Sequence, residues 1–260
     1  MVSVNLSHIE QIVLNIVGGF LAALLSLLFF WLCKNALRYY RKRSFKKIFG
    51  QDAEKNYNIV YGKMVLLPCF DKKGNPIKWP YAKPGTNKVF SISSPVSFTE
   101  TKSAKYISEA FSKDTDNTPN LISDDEIKER LDISYCSLGG YNNLKTIDVL
   151  ESEENEFFYI DLSVPEIVVK DDRKKRYKVD GTYDYAVIIK VVPKSFPNRV
   201  WIAIAGLGEW GTSGAAWFLS RNWKRIKKIA NDQQFGLIIR VKGGQDESAE
   251  IVYQKIKKQP

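Results

Sequence analysis

Gly206, Gly208 and Gly211 form a GxGxxG spacing between an apolar run at 199–205 (RVWIAIA) and a helical pattern at 212–230. Strand, glycine turn, then helix is the context in which that spacing carries meaning. Glycine lets the backbone turn tightly, and the open helix N-terminus offers unpaired N–H groups and partial positive charge to an anion. Thr212 and Ser213 add hydroxyls in the first helical turn, Glu209 a carboxylate, and Trp210 a ring that can stack on a base. A second turn follows the apolar run 132–138 and reads Gly139, Gly140, Tyr141, Asn142, Asn143. Its glycines expose backbone N–H groups, and the amides of Asn142 and Asn143 can bond a base or ribose. The plain reading of both segments is a tight turn that permits close packing. The functional reading is a nucleotide-type ligand site.

The pattern departs from the dinucleotide fingerprint. An acid that binds ribose belongs roughly 20 residues beyond the glycines, whereas the acids after strand 235–241, Asp246 and Glu247, lie 40 or more beyond Gly206. No P-loop lysine follows the glycines either. The one histidine, His8, precedes the apolar N-terminal segment, so a histidine-based triad or metal site in the main domain is excluded. Cys33, Cys69 and Cys136 are too scattered for a disulfide framework or a zinc site, and no metal is expected. Glu209, Asp246, Glu247, Asp184 and Cys136 remain as candidates for a base or nucleophile, with Glu209 first because it sits inside the glycine loop. None stands in a recognisable catalytic pair, so no catalytic residue is assigned unless the chain is an enzyme that uses Glu209.

These loops need a sheet to hold them. Strands are expected at 58–68, 132–138, 157–162, 164–169, 183–192, 199–205 and 235–241, and helices at 101–111, 123–131, 144–150 and 212–230. Ser123 and Glu126 have capping-box spacing, residues 70–100 read as an irregular excursion with an aromatic cluster at 79–81, and 170–178 reads as a charged turn. The alternation predicts an α/β fold, a Rossmann-like three-layer α/β sandwich with a mostly parallel sheet. In such a sheet the two glycine loops share one crevice at the strands' carboxyl ends.

Residues 12–33 are an uncharged run of 22, about 33 Å as a helix against a hydrocarbon core of about 30 Å. The first ten residues carry Glu10 and no Lys or Arg, which argues for an anchor rather than a cleaved signal. Lys34, Arg38, Arg41, Lys42, Arg43, Lys46 and Lys47 follow, with no acid before Asp52. The positive-inside rule places that side in the cytoplasm, against anionic inner-leaflet lipid. The division is then an outer segment 1–11, a single span 12–33, a basic linker 34–52 (or a continuation of the helix onto the membrane surface) and a cytoplasmic domain 53–260. Of the net charge of +10, only +4 falls on residues 51–260, which argues against a groove that tracks nucleic acid or reads its sequence. Along the span, Asn15, Gly18, Gly19, Ala22, Ala23 and Ser26 form a stripe of small or polar residues of the kind that packs helix on helix, so a homo-oligomer is expected.

LGGYNN (138–143) and AGLGEWGTSGAAWFL (205–219) resemble the nucleotide-sensing, Rossmann-like modules of the SLOG kind, which occur beside transmembrane helices in prokaryotic anti-viral systems. The resemblance covers residues 55–245 as architecture and only these two loops as motif. Enzymatic members carry GGxGT followed by a glutamate, and here the order is GEWGTSG. The resemblance implies a membrane sensor or effector: a nucleotide-type ligand or an activating protein partner, such as a nucleic-acid-guided one, binds the cytoplasmic domain, the domains assemble, and the spans perturb the membrane. The alternatives are a membrane-tethered nucleotide or NAD hydrolase and a non-catalytic scaffold that recruits a partner to the membrane. No cofactor beyond the ligand is implied.

Overall fold

Apolar side chains that alternate along a strand must be covered on both sides, and the three central strands of this chain alternate in that way. In Tyr183–Val191 (β11), Ala186 and Ile188 point to one face while Val187, Ile189 and Val191 point to the other. Trp201–Gly206 (β12) and Phe235–Lys242 (β13) divide likewise. The computed structural model describes residues 6–64, 69–70, 73, 76–77, 80–82, 89–91 and 96–257.

The N-terminal helix α1 (Leu6–Phe49) is followed by a 3-10 turn (Gln51–Glu54) and β1 (Asn58–Tyr61). Two short antiparallel pairs, β2 (Cys69–Phe70) with β3 (Pro76–Ile77) and β4 (Pro80–Ala82) with β5 (Val89–Ser91), lead to α2 (Phe98–Thr115). Then come β6 (Asn120–Ser123), β7 (Tyr135–Leu138), α3 (Leu144–Glu151), β8 (Phe158–Asp161), β9 (Glu166–Val169) and β10 (Asp172–Lys178). The strands β11 and β12, the helix α4 (Gly211–Ala230), β13 and β14 (Gln245–Ile256) complete the order.

Among the described residues the main sheet has seven strands in the order β14-β13-β11-β12-β7-β1-β6. The pairs β1–β6, β1–β7 and β12–β7 are parallel, and β11–β12, β11–β13 and β13–β14 are antiparallel. Five strands therefore point one way, while β11 and β14 run against them. The helices α2 and α4 cover one face through Ala104, Ile107, Phe111, Leu219, Trp223 and Ile226. The other face is covered by α3 and by the small antiparallel sheet β10-β9-β8, with Phe157, Phe158 and Ile167 in its core.

Several local expectations change. Ser123 does not start a helix; it ends β6, paired with Tyr61 of β1, and the Asp124 carboxylate accepts the N–H groups of Lys63 and Leu144, which pins a turn there. The stretch 170–178 is largely strand β10 rather than a turn. The segment after Gly244 is the edge strand β14, which buries Asp246 and Ala249 but few other side chains. Residues 65–68 and Trp79, part of an expected strand and an expected aromatic cluster, lie outside the described residues.

The chain divides into two compact units, residues 1–43 and 44–260. In the first unit, α1 is long and apolar enough to cross a membrane by length and composition, with mean hydropathy 2.5 in its apolar window. The second unit begins at Ser44 rather than at residue 53, because Phe45, Ile48 and Phe49 are fully buried. The Phe45 ring stands 4.3 Å from Phe49, 4.9 Å from Phe111 and 5.2 Å from Trp223, centroid to centroid. Lys46 pairs with Glu54 at 2.7 Å and Lys47 donates to Asn231 at 2.9 Å, so these two cations serve the domain wall. The helical turn that carries them, read from the sequence as part of the membrane-surface cluster, packs Phe45, Ile48 and Phe49 into the core.

Lys190, 1% exposed, donates to the carbonyl of Lys47 (2.5 Å), an orphan acceptor in the last turn of α1, and to that of Asp232 (2.9 Å), just past the end of α4. Burial lowers its pKa to about 8, with Asp232 opposing. Between that value and the ordinary lysine value of about 10.4, the unfolded chain holds a proton that the folded chain has shed, so this group adds stability as pH rises. Wild type should therefore gain stability relative to Lys190→Met on going from about pH 7 to about pH 10 in urea titrations. Phe45→Ala should cost about 3–5 kcal/mol in the same assay, while Phe29→Ala, on the exposed part of α1, leaves domain unfolding unchanged.

Candidate functional site

The two glycine loops do meet. Gly139 donates its N–H to Ile204 of β12, and a Cβ built on Gly140 would lie 3.8 Å from the Gly206 carbonyl. Both loops stand at the carboxyl edge of the sheet, where β7 and β12 end and α3 and α4 begin.

The amide cradle of the 206–211 loop is filled from within. Asp184, 4% exposed at the start of β11, accepts from the N–H of Gly208 at 3.0 Å, of Trp210 at 2.8 Å and of Gly211 at 2.7 Å. Its own neighbour Tyr185 donates to it at 2.7 Å. An internal carboxylate thus takes the position expected for a ligand phosphate, with charge-assisted bonds onto a helix N-terminus. The hydroxyls are engaged as well. Thr212 Oγ1 accepts from the Gly206 N–H, and Ser213 Oγ, itself buried, donates to Asp246 at 2.8 Å. Trp210 packs against the core and over Gly243, as a lid on its own domain rather than an open stacking platform.

The 139–143 loop is likewise tied down. Asn143, fully buried, caps α3 by accepting from Lys145 and Thr146, and it donates to the carbonyls of Val60 and Leu138. Asn142 donates to Glu100 at 2.8 Å, and the other Glu100 oxygen accepts the Gly62 N–H at 2.9 Å. Gly139 adopts φ 100°, and a Cβ there would lie 2.5 Å from Glu100, so the loop needs glycine. Glu100 is 3% exposed, and desolvation raises its pKa against the two hydrogen bonds that lower it.

Four buried carboxylates therefore line this edge: Glu100, Asp124, Asp184 and Asp246, the last accepting from Tyr106 and Ser213 and paired with Lys102 at 2.6 Å. Asp184 entered the sequence reading only as a possible base, Asp246 also as an acid too far along the chain for the ribose position, and Glu100 and Asp124 not at all. Asp184 left a trace, as an acid opening a mostly apolar central strand.

The remaining candidates stand apart from these carboxylates. Glu209 and Glu247 are exposed, and Cys136 is fully buried with its thiol pKa raised by desolvation. No group of three or more His, Cys, Asp or Glu is placed to hold a metal among the described residues. On α1, Asn15, Gly18, Gly19, Ala22, Ala23 and Ser26 are exposed, with Ser26 donating back to the Ala22 carbonyl.

Glycine substitutions would not isolate a ligand role here, because a Cβ on Gly211 meets the Tyr185 carbonyl at 2.7 Å and one on Gly208 meets Asp184 at 2.8 Å. Asp184→Asn is cleaner: it turns an amide group toward donors and should cost about 2–3 kcal/mol of unfolding free energy. Glu100 binds its proton more tightly folded than unfolded, so acidification through its folded pKa favours the native state. Wild type should accordingly gain stability relative to Glu100→Gln as pH falls from about 7 to about 5, measured by denaturant titration.

No family model, curated protein or solved structure matches the chain.

Proposed function

We propose that this chain is a membrane-anchored, non-enzymatic sensor or effector, with residues 12–33 crossing the cell membrane once and the N-terminus outside. Its three-layer, Rossmann-like domain stands in the cytoplasm, binds an activating partner, assembles, and drives the spans to perturb the bilayer. Prokaryotic anti-viral defence is the setting that the loop resemblance suggests. One observation carries the reading: α1 holds an apolar run long enough to cross a membrane, and a compact domain with its own core follows it.

The activator is better read as a protein, or another copy of this chain, than as a nucleotide on the glycine loop, since that ligand would have to displace Asp184 from three backbone amides. The nucleotide form stands as the second reading, supported by the meeting of the two loops at the carboxyl edge. Orientation rests on the cations that follow the apolar run.

Two measurements test this. Full-length protein in detergent, heated with mono-, di- and cyclic nucleotides and NAD, should show no stabilisation; saturation at about 100 times a dissociation constant would add about 2.7 kcal/mol. A shift restores the nucleotide reading, and a shift with a cleaved product makes the chain a hydrolase. The second measurement follows membrane potential in cells expressing the full chain. Depolarisation is expected, and none at all from membrane-inserted native protein leaves the scaffold.

A further inference from the structure

α4 contains no acidic residue, yet it carries Arg221, Lys224, Arg225, Lys227 and Lys228. Arg221 is paired with Glu109 at 3.2 Å. No carboxylate lies within 4.0 Å of the other four among the described residues, and the one contact made by their charged groups is Lys224 over the Trp223 ring. Four unpaired cations within five residues repel one another. Attraction to the helix dipole accounts for Lys227 and Lys228 in the last turn, but it fades over the turn before, where Lys224 and Arg225 lie. These four charges equal the whole net excess of residues 51–260.

Their position supplies the explanation. The end of α4 is held to the start of the domain by Lys47 on Asn231 (2.9 Å), by Phe45 against Trp223, and by Lys190 bridging Lys47 and Asp232. The patch therefore lies beside Ser44, where the domain receives the chain from the apolar helix, at the edge of the sheet opposite the glycine loops. Trp223, Ile226 and Ala230 face the core, which turns Lys224, Arg225 and Lys228 outward.

We propose that Lys224, Arg225, Lys227 and Lys228 form a docking surface for anionic lipid headgroups, which holds the domain against the inner leaflet. The inference rests on the membrane-anchored reading above. A lipid surface fits better than a nucleic acid, because the patch spans little more than one helical turn and no groove of cations extends it. A headgroup layer needs only proximity and charge, each cation near an anionic surface strengthening attachment severalfold.

The test uses the full chain in nanodiscs of phosphatidylcholine alone or with about 30% phosphatidylserine. Rates of lysine acetylation are read by mass spectrometry at each site. Phosphatidylserine should slow labelling of Lys224, Lys227 and Lys228 by about threefold or more, while Lys174 and Lys178, on a strand of the sheet's other face, keep their rates. Equal rates at the patch in both lipids overturn the proposal. Slowing by a short DNA duplex but not by phosphatidylserine overturns it in favour of nucleic acid. A chain that fails to enter nanodiscs at all removes the anchored reading and this inference with it, so the two failures are told apart.

Discussion

A helix that starts at the end of a buried strand brings several backbone N–H groups to one point, and each must find an acceptor. In this domain the acceptor is the Asp184 carboxylate, and much of the architecture follows from bringing it there. Asp184 opens β11, and a strand can begin at the carboxyl edge only by running against its neighbours. The second reversed strand, β14, does the same with Asp246, which accepts from the Ser213 hydroxyl in the first turn of α4. The two antiparallel insertions are thus what deliver negative charge to the N-terminus of the longest helix in the domain.

β11 serves the other pole as well. Six residues beyond Asp184, Lys190 places its ammonium on carbonyls in the last turn of α1 and just past the end of α4. One strand therefore sets a buried anion against helix N-terminal amides and a buried cation against helix C-terminal carbonyls. Each is the sign that the helix dipole favours. Burying either charge alone would be expensive, and the hydrogen bonds at both ends are what make the pair tolerable. The coupling also explains why the last turn of α1 belongs to the domain: removing Lys47 from its place would strand Lys190 in an apolar core.

The strand–glycine–helix unit and the meeting of the two loops were legible because both are local patterns repeated in neighbouring strands. What filled the cradle was not. Asp184 lies 27 residues before Gly211, and nothing local says that its strand inserts in reverse beside β12. Ser123 and Glu126 have capping-box spacing, but pairing of β6 with β1 decides the backbone there, and propensity yields to tertiary contact. β14 was missed because an edge strand that buries an aspartate and an alanine shows no apolar alternation. Phe45, Ile48 and Phe49 do carry helical spacing, hidden within a run whose charge drew attention to lipid.

The same satisfaction of polar groups bears on function. In an open α/β sheet the carboxyl edge is where donors stand ready for a ligand, and here those donors already have partners within the chain. On the proposed reading those internal bonds leave the outer surface as what the domain offers to others. That surface then has two parts with different tasks: the basic end of α4, which would meet the bilayer, and the other walls, where a partner or a second copy would engage.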